Sequence, residues 1–221
     1  MANPSGRKGH EGEKGIRDFI NLRYPLADQG IGASIMTSGG SKDIGDIEGV
    51  PFTMVEAKNH KKPVYGSLMA NAEIKFANSG RDFLLLSCKR PRFSIKRAGK
   101  WDALTTLGTL DRMGLLAEDG KNVFDLAQEE GVYPVTPAGF KHQHLSPKNL
   151  GCEVEMHVFS CYNGIGAKSH KVLDNTDLLA VCVFPRRGKP VEDWFAFTDL
   201  DRYMKLLEAI GVVPEIATNE E

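Results

Sequence analysis

A chain of 221 residues with 41% hydrophobic and 26% charged residues can bury a substantial core, as one elaborated domain or as one domain with a large insertion. No apolar run is long enough to span a bilayer, and the polar, Gly-rich start lacks the apolar core of a signal peptide, so a cytoplasmic protein with no membrane partner is expected. The net charge of −1 argues against a generic DNA-coating protein but hides an asymmetry: residues 1–100 carry 17 Lys and Arg against 10 Asp and Glu, and residues 101–221 carry 11 against 19.

In chain order, the first informative stretch is Ser38-Gly-Gly-Ser-Lys-Asp43-Ile-Gly-Asp46-Ile-Glu48-Gly, followed by Phe52-Thr-Met-Val-Glu56-Ala-Lys58. It predicts a hairpin whose second strand ends in Glu-x-Lys. Side chains alternate along a strand, so Glu56 and Lys58 share one face while Val55 and Ala57 take the other. The tight Glu48 to Pro51 connection folds Asp46 back beside Glu56. Two carboxylates and an ammonium on one sheet edge suit a hard divalent cation, with a positive charge left for a phosphate or a water. Asp43 lies at an acceptable distance too, so either aspartate can serve, with Asp46 preferred.

A bare Glu-x-Lys is a weak signal, and a second one, Glu73-Ile-Lys75, follows. Leu68, Ala72 and Phe76 recur there at helical spacing, which predicts a helix over Gly66 to Ser79. Glu73 and Lys75 would then point in different directions and read as solvated surface. Asp82-Phe-Leu-Leu-Leu-Ser-Cys88 reads as a buried strand of a mixed sheet. Positive charge is densest from Lys58 to Lys100, with Lys61, Lys62, Lys89, Arg90 and Arg92 the residues expected to hold a DNA backbone.

Farther along, helices are expected over Ala103 to Leu116 and Val123 to Glu130, and a long loop from Val132 to Gly151. Strands are expected over Cys152 to Cys161, Leu178 to Phe184 and Trp194 to Thr198. A helix over Asp199 to Ile210 would be capped by Thr198. Either Phe83 to Cys88 and Leu178 to Phe184 are neighbours in one sheet, or an insertion separates them; we divide the chain into a core at 1–100, an insertion at 101–175 and completing elements at 176–221. No internal repeat is evident. The four cysteines are widely spread and read as reduced. A zinc site from His142, His144, Cys152, His157 and Cys161 matches no familiar ligand spacing. Asp199 and Asp201 are read as helix-start acids.

These residues resemble the PD-(D/E)xK nuclease superfamily, and within it the Holliday junction resolvase type of endonuclease. The resemblance rests on Arg7-Lys8-Gly9-His-Glu11-Gly-Glu13-Lys14, on the Ser-Gly-Gly-Ser-Lys-Asp-x-Gly-Asp-Ile segment, and on Val55-Glu56-Ala57-Lys58-Asn59. It implies an α/β fold with a restriction-endonuclease-like αβββαβ core, here carrying the insertion. It further implies Asp46, Glu56 and the Ala57 carbonyl as ligands of Mg2+, with Mn2+ able to substitute, Lys58 as the catalytic lysine, and Glu13 as an accessory acid. Glu13 or Glu73 would be further ligands, and the resemblance implies a helix beside the site that sends a polar side chain toward the metal, with Asn71, Glu73 and Lys75 as its candidates. The substrate would be branched or double-stranded DNA, cut to 5′-phosphate and 3′-hydroxyl ends by a homodimer. The chain departs from the pattern in placing Gly45, and no proline, before the aspartate.

Overall fold

Phe83 to Cys88 carries apolar residues at consecutive positions, which suits a strand covered on both faces. In the computed structural model, which describes residues 4–23, 33–36, 44–117, 119–129, 131–137, 154–160 and 165–213, this run is such a strand, with every residue buried. Among the described residues the strands are β1 (Ser34–Ile35), β2 (Ile47–Glu48), β3 (Thr53–Lys58), β4 (Phe83–Cys88), β5 (Asp102–Thr106), β6 (Leu115–Ala117), β7 (Gly131–Pro137), β8 (Val154–Ser160), β9 (Leu179–Phe184) and β10 (Phe195–Asp199). They form one mixed sheet in the order β1-β2-β3-β4-β5-β10-β9-β8-β7-β6. The helices are α1 (Pro4–Arg23), α2 (Tyr65–Ser79), α3 (Leu107–Arg112), α4 (Val123–Leu126), α5 (Ala167–Asp174) and α6 (Leu200–Ala209).

Alternation along the strands divides the core in two. Val55, Ala57, Leu85 and Ala103 pack with Ile16 and Ile20 of α1, Leu107 and Leu110 of α3, Val123 of α4 and the apolar side of α6. Met54, Leu84, Leu86, Leu104 and Phe197 pack on the opposite face with Met69 and Ala72 of α2 and Leu173 of α5. The protein is thus an α/β sandwich with helices on both faces of the sheet.

The strand order reads the same from both ends. In each half three antiparallel strands lead through a crossover helix, α2 or α5, to a parallel fourth, β4 or β9, which an antiparallel fifth follows. The two fifth strands, β5 and β10, pair antiparallel at the middle, and each runs straight into a helix. The junctions are reciprocal: Leu107 N–H donates to the Trp194 carbonyl and Leu200 N–H to the Trp101 carbonyl, both at 2.9 Å. A repeat absent from our reading of the sequence is therefore present in the topology.

This topology revises several expectations. The stretch 101–175 supplies β5 at the centre of the sheet and β6 to β8 on its far side, four of the ten strands, so it is continuous with the sheet and not set apart from it. Strands β4 and β9 share that sheet with β5 and β10 between them. Ala103 to Leu116 is a strand and a short helix, closed by the start of β6. The expected helix over Val123 to Glu130 stops at Leu126, and Gly131–Pro137 of the expected loop is a strand. The cap of α6 is Asp199, whose Oδ1 accepts from Arg202 N–H at 2.9 Å, because the Thr198 hydroxyl donates to the Ala180 carbonyl at 2.7 Å. Strands β4, β8, β9 and β10 and helix α2 lie where expected, within a few residues at their ends.

Candidate active site

Asp46 enters its position through a turn that few residues can make. Gly45 has φ +119°, and a Cβ there would stand 2.9 Å from the Val55 carbonyl oxygen. Proline, whose ring fixes φ near −65°, is excluded from such a conformation. The absence of the proline that precedes the aspartate in the nuclease pattern thus has a local cause. Asp46 N–H donates to the Val55 carbonyl at 2.8 Å, and Ile47 pairs with Val55 across β2 and β3. The Asp46 carboxylate is consequently turned onto β3, where Oδ2 accepts from Ala57 N–H at 2.9 Å.

Glu56 and Lys58 share the α2 face of β3, as the alternation requires. Lys58 Nζ contacts Glu56 Oε1 directly and lies 3.2 Å from Asp46 Oδ2, so one ammonium bridges both carboxylates. A second ammonium comes from α2: Lys75 Nζ lies 2.8 Å from each oxygen of Glu56 and 3.8 Å from Asp46 Oδ1. Glu56 is 1% exposed, whereas Asp46, Lys58 and Lys75 each keep about a fifth of their side chains in contact with water. Burial pushes the Glu56 carboxyl above its ordinary value, and the neighbouring Asp46 charge adds to the rise against the hydrogen bonds from the lysines. For Lys58 burial acts to lower the ammonium, but hydrogen bonding to Glu56 and the charges of both carboxylates prevail and raise it.

The sequence-derived site is therefore partly assembled. Asp46, Glu56, Lys58 and Ala57 come together, with the Ala57 N–H as the backbone group that holds Asp46. Glu13 on α1 faces His10 at 3.5 Å, and among the described residues no third acidic, histidine or cysteine side chain joins Asp46 and Glu56 in a metal-binding group. The helix α1 is nonetheless drawn to this end of β3: a Cβ on Gly12 would stand 2.9 Å from the Asn59 Cβ, and Asn59 donates to the Lys8 carbonyl at 2.8 Å. Glu73 pairs with Arg186 at 2.6 Å, which corrects its reading as solvated surface. Lys75 is the side chain of α2 that reaches Glu56, which corrects its reading as solvated surface. Asp43 lies outside the described residues, as do His142, His144, Cys152 and Cys161.

The basic residues divide likewise. Lys61, Lys62 and Arg92 are exposed, and Lys89 is half-buried with its N–H extending the β3–β4 pairing to the Lys58 carbonyl. Arg90 is 6% exposed and holds Asp174 with both guanidinium nitrogens, at 2.9 and 2.5 Å. It ties β4 to the end of α5 and is not available to a DNA backbone, because a bidentate pair satisfies its fork. Beside it Asp102, 1% exposed, accepts from the Tyr65 hydroxyl and pairs with His170 Nε2 at 2.9 Å. Cys88 and Cys182 are both buried. Among the described residues no helix is long and apolar enough to cross a membrane.

Two carboxylates within reach of one ammonium make a donor set suited to Mg2+, which takes one or two protein carboxylates and completes its shell with water and phosphate. The lysines hold the position such a cation would compete for. Compared with protein-family models, characterised proteins and solved structures, the chain matches none of them.

Proposed function

We propose that this protein is a Mg2+-dependent DNA endonuclease of the PD-(D/E)xK type with a restriction-endonuclease-like core, acting on branched DNA in the manner of a Holliday junction resolvase. The observation that carries the reading is the Lys58 ammonium reaching both Asp46 and Glu56 on one sheet face. Asp46 and Glu56 would hold the metal, with Mn2+ able to substitute. The chemistry such an ion supplies is acidification of a bound water and neutralisation of phosphate charge. Lys58 then directs its N–H groups at the attacking water or at the oxygens on which charge develops. Lys75, released from Glu56, provides a second cation for the phosphate, and Lys61, Lys62, Lys89 and Arg92 engage the flanking backbone. One such site per chain calls for a homodimer to cut two opposed strands.

The test is Mg2+-dependent cleavage of labelled four-way junction, flap and linear duplex DNA, with Lys58→Ala and Glu56→Ala in parallel. Paired cuts confined to the junction are expected, lost in both variants with DNA binding nearly intact. Cutting of flap or linear DNA keeps the hydrolysis and changes the substrate class; cleavage retained by Lys58→Ala overturns the site. A second reading, a DNA-binding protein without turnover, is favoured by one observation: Lys75 already satisfies both oxygens of Glu56. Binding with no cleavage of any substrate would decide for it.

A further inference from the structure

The repeat of the sheet gives positions in register on the central strands of the first half a counterpart in the second. Leu104 pairs with Phe197 across the two central strands. Leu104 is in register with Leu86, and Leu86 with Glu56. On the other side Phe197 is in register with Cys182, and Cys182 with Phe159. Phe159 therefore occupies the place of Glu56, and α5 the place of α2. Lys171 precedes β9 by the same interval that separates Lys75 from β4. The lysine position is kept, and the carboxylate is replaced by an aromatic ring.

At this place lies an open cavity of about 380 Å3, within the range of small-molecule sites, lined by His157 and Phe159 of β8 and by Lys168, Lys171 and Asn175. The His157 and Phe159 rings stand 3.6 Å apart between centroids and are stacked face against face with a tilt of 36°. Burial holds the His157 imidazole below its ordinary value, so it presents a neutral ring near pH 7. Lys168 and Lys171 are exposed, and among the described residues neither has a carboxylate partner. Aromatic rings beside unpaired ammoniums and a side-chain amide match a ligand that is flat and aromatic at one end and anionic at the other.

We propose that this cavity is a second nucleic-acid site, which takes one unstacked nucleotide of a single strand, its base extending the His157–Phe159 stack and its phosphate on Lys168 and Lys171. It binds and does not hydrolyse, since Phe159 stands where the metal-holding glutamate would be. The choice of a nucleotide as ligand rests on the nuclease reading. A protein built this way grips an unpaired strand with one half while the other half cuts, and base–aromatic stacking makes the grip tolerant of sequence.

The experiment is fluorescence anisotropy of a labelled short oligothymidylate with the full chain in EDTA, so that no cleavage intervenes. Phe159→Leu keeps an apolar filler while removing the stacking ring, and Lys171→Glu reverses the phosphate contact. Lys189→Glu, on an exposed turn away from the cavity, controls for net charge. Each cavity variant should weaken binding about tenfold or more while Lys189→Glu changes it little, and melting curves should show the variants folded. Unchanged binding in Phe159→Leu, equal loss in Lys189→Glu, or no binding by the wild-type chain would each overturn the proposal. Cleavage assays with Mg2+ run alongside separate the two claims: loss of binding in the cavity variants without any wild-type cleavage leaves the cavity standing and removes the nuclease reading, whereas cleavage with unaffected binding does the reverse.

Discussion

Lys75 on α2 and Glu56 on β3 form a symmetric contact, with the ammonium 2.8 Å from both carboxylate oxygens. A glutamate this deeply buried depends on its ammonium partners whenever it is ionised, and removing one leaves part of that charge uncompensated. Lys75→Met should therefore lower the stability of the metal-free protein by about 2–3 kcal/mol. The same substitution removes the resident competitor for a cation at Glu56, so Mg2+ should raise the melting temperature more in the variant than in the wild type. Thermal melts with and without Mg2+ check both statements; equal responses to Mg2+ would mean that the ion does not bind at Glu56.

The pH dependence of this site has a definite sign. Burial raises the Glu56 carboxyl above the ordinary value of 4.5. A carboxyl that holds its proton more tightly in the folded chain favours folding below the unfolded value, and that contribution is lost as pH rises through the folded one. Glu56→Gln stays neutral throughout. In EDTA the melting temperature of Glu56→Gln relative to wild type should thus move in favour of the variant between about pH 4.5 and neutrality. A difference that is flat across this range would show that the lysines hold the folded carboxyl at its unfolded value.

Much of this site was legible because its parts are local. Alternation along Val55 to Lys58 placed Glu56 and Lys58 together, and the short connection from Glu48 to Pro51 returned Asp46 to them. Lys75 was visible only as a polar residue of a helix, since its reach to Glu56 depends on the crossover from β3 to β4. The strand β5 was read as helix because Ala103, Leu104, Leu107 and Leu110 satisfy helical spacing. A central strand covered on both faces shows no alternation to oppose that reading. The repeat had a trace in the sequence, Trp101-x-Ala-x-Thr-x-Leu107 and Trp194-x-Ala-x-Thr-x-Leu200, which contain the two tryptophans of the chain. Seven residues are too short to stand out without the reciprocal hydrogen bonds that join them.

Gly45 carries the placement of Asp46. Gly45→Ala puts a methyl group 2.9 Å from the Val55 carbonyl oxygen at a φ of +119°, at a cost of about 1–3 kcal/mol. Gly45→Pro cannot reach that φ at all and should displace Asp46 from Ala57 N–H. Both variants are expected to lose cleavage, and the proline variant to lose it fully, even though proline is the residue found here in the nuclease pattern. Wild-type activity in Gly45→Pro would mean that Asp46 is not the ligand and would turn attention to Asp43.

Arg90 and Lys62 make opposite predictions from the same basic stretch. Arg90 is buried, grips Asp174 and lies 5.0 Å over the Phe93 ring, so its work is to join the two halves of the sheet on the α5 side. Arg90→Ala removes a bidentate partner and an aromatic contact and should cost about 1–2 kcal/mol in a denaturant melt, since Asp174 is half-exposed and stays solvated. DNA affinity of the folded variant should stay close to wild type. Lys62 is exposed beyond the end of β3 and has no side-chain partner among the described residues. Lys62→Ala should leave the melt unchanged and weaken DNA binding, with the slope of log affinity against log salt reduced by about 0.9, the share of one phosphate contact. A salt slope altered by Arg90→Ala and untouched by Lys62→Ala would place the DNA backbone on the α5 side of the sheet and away from the end of β3.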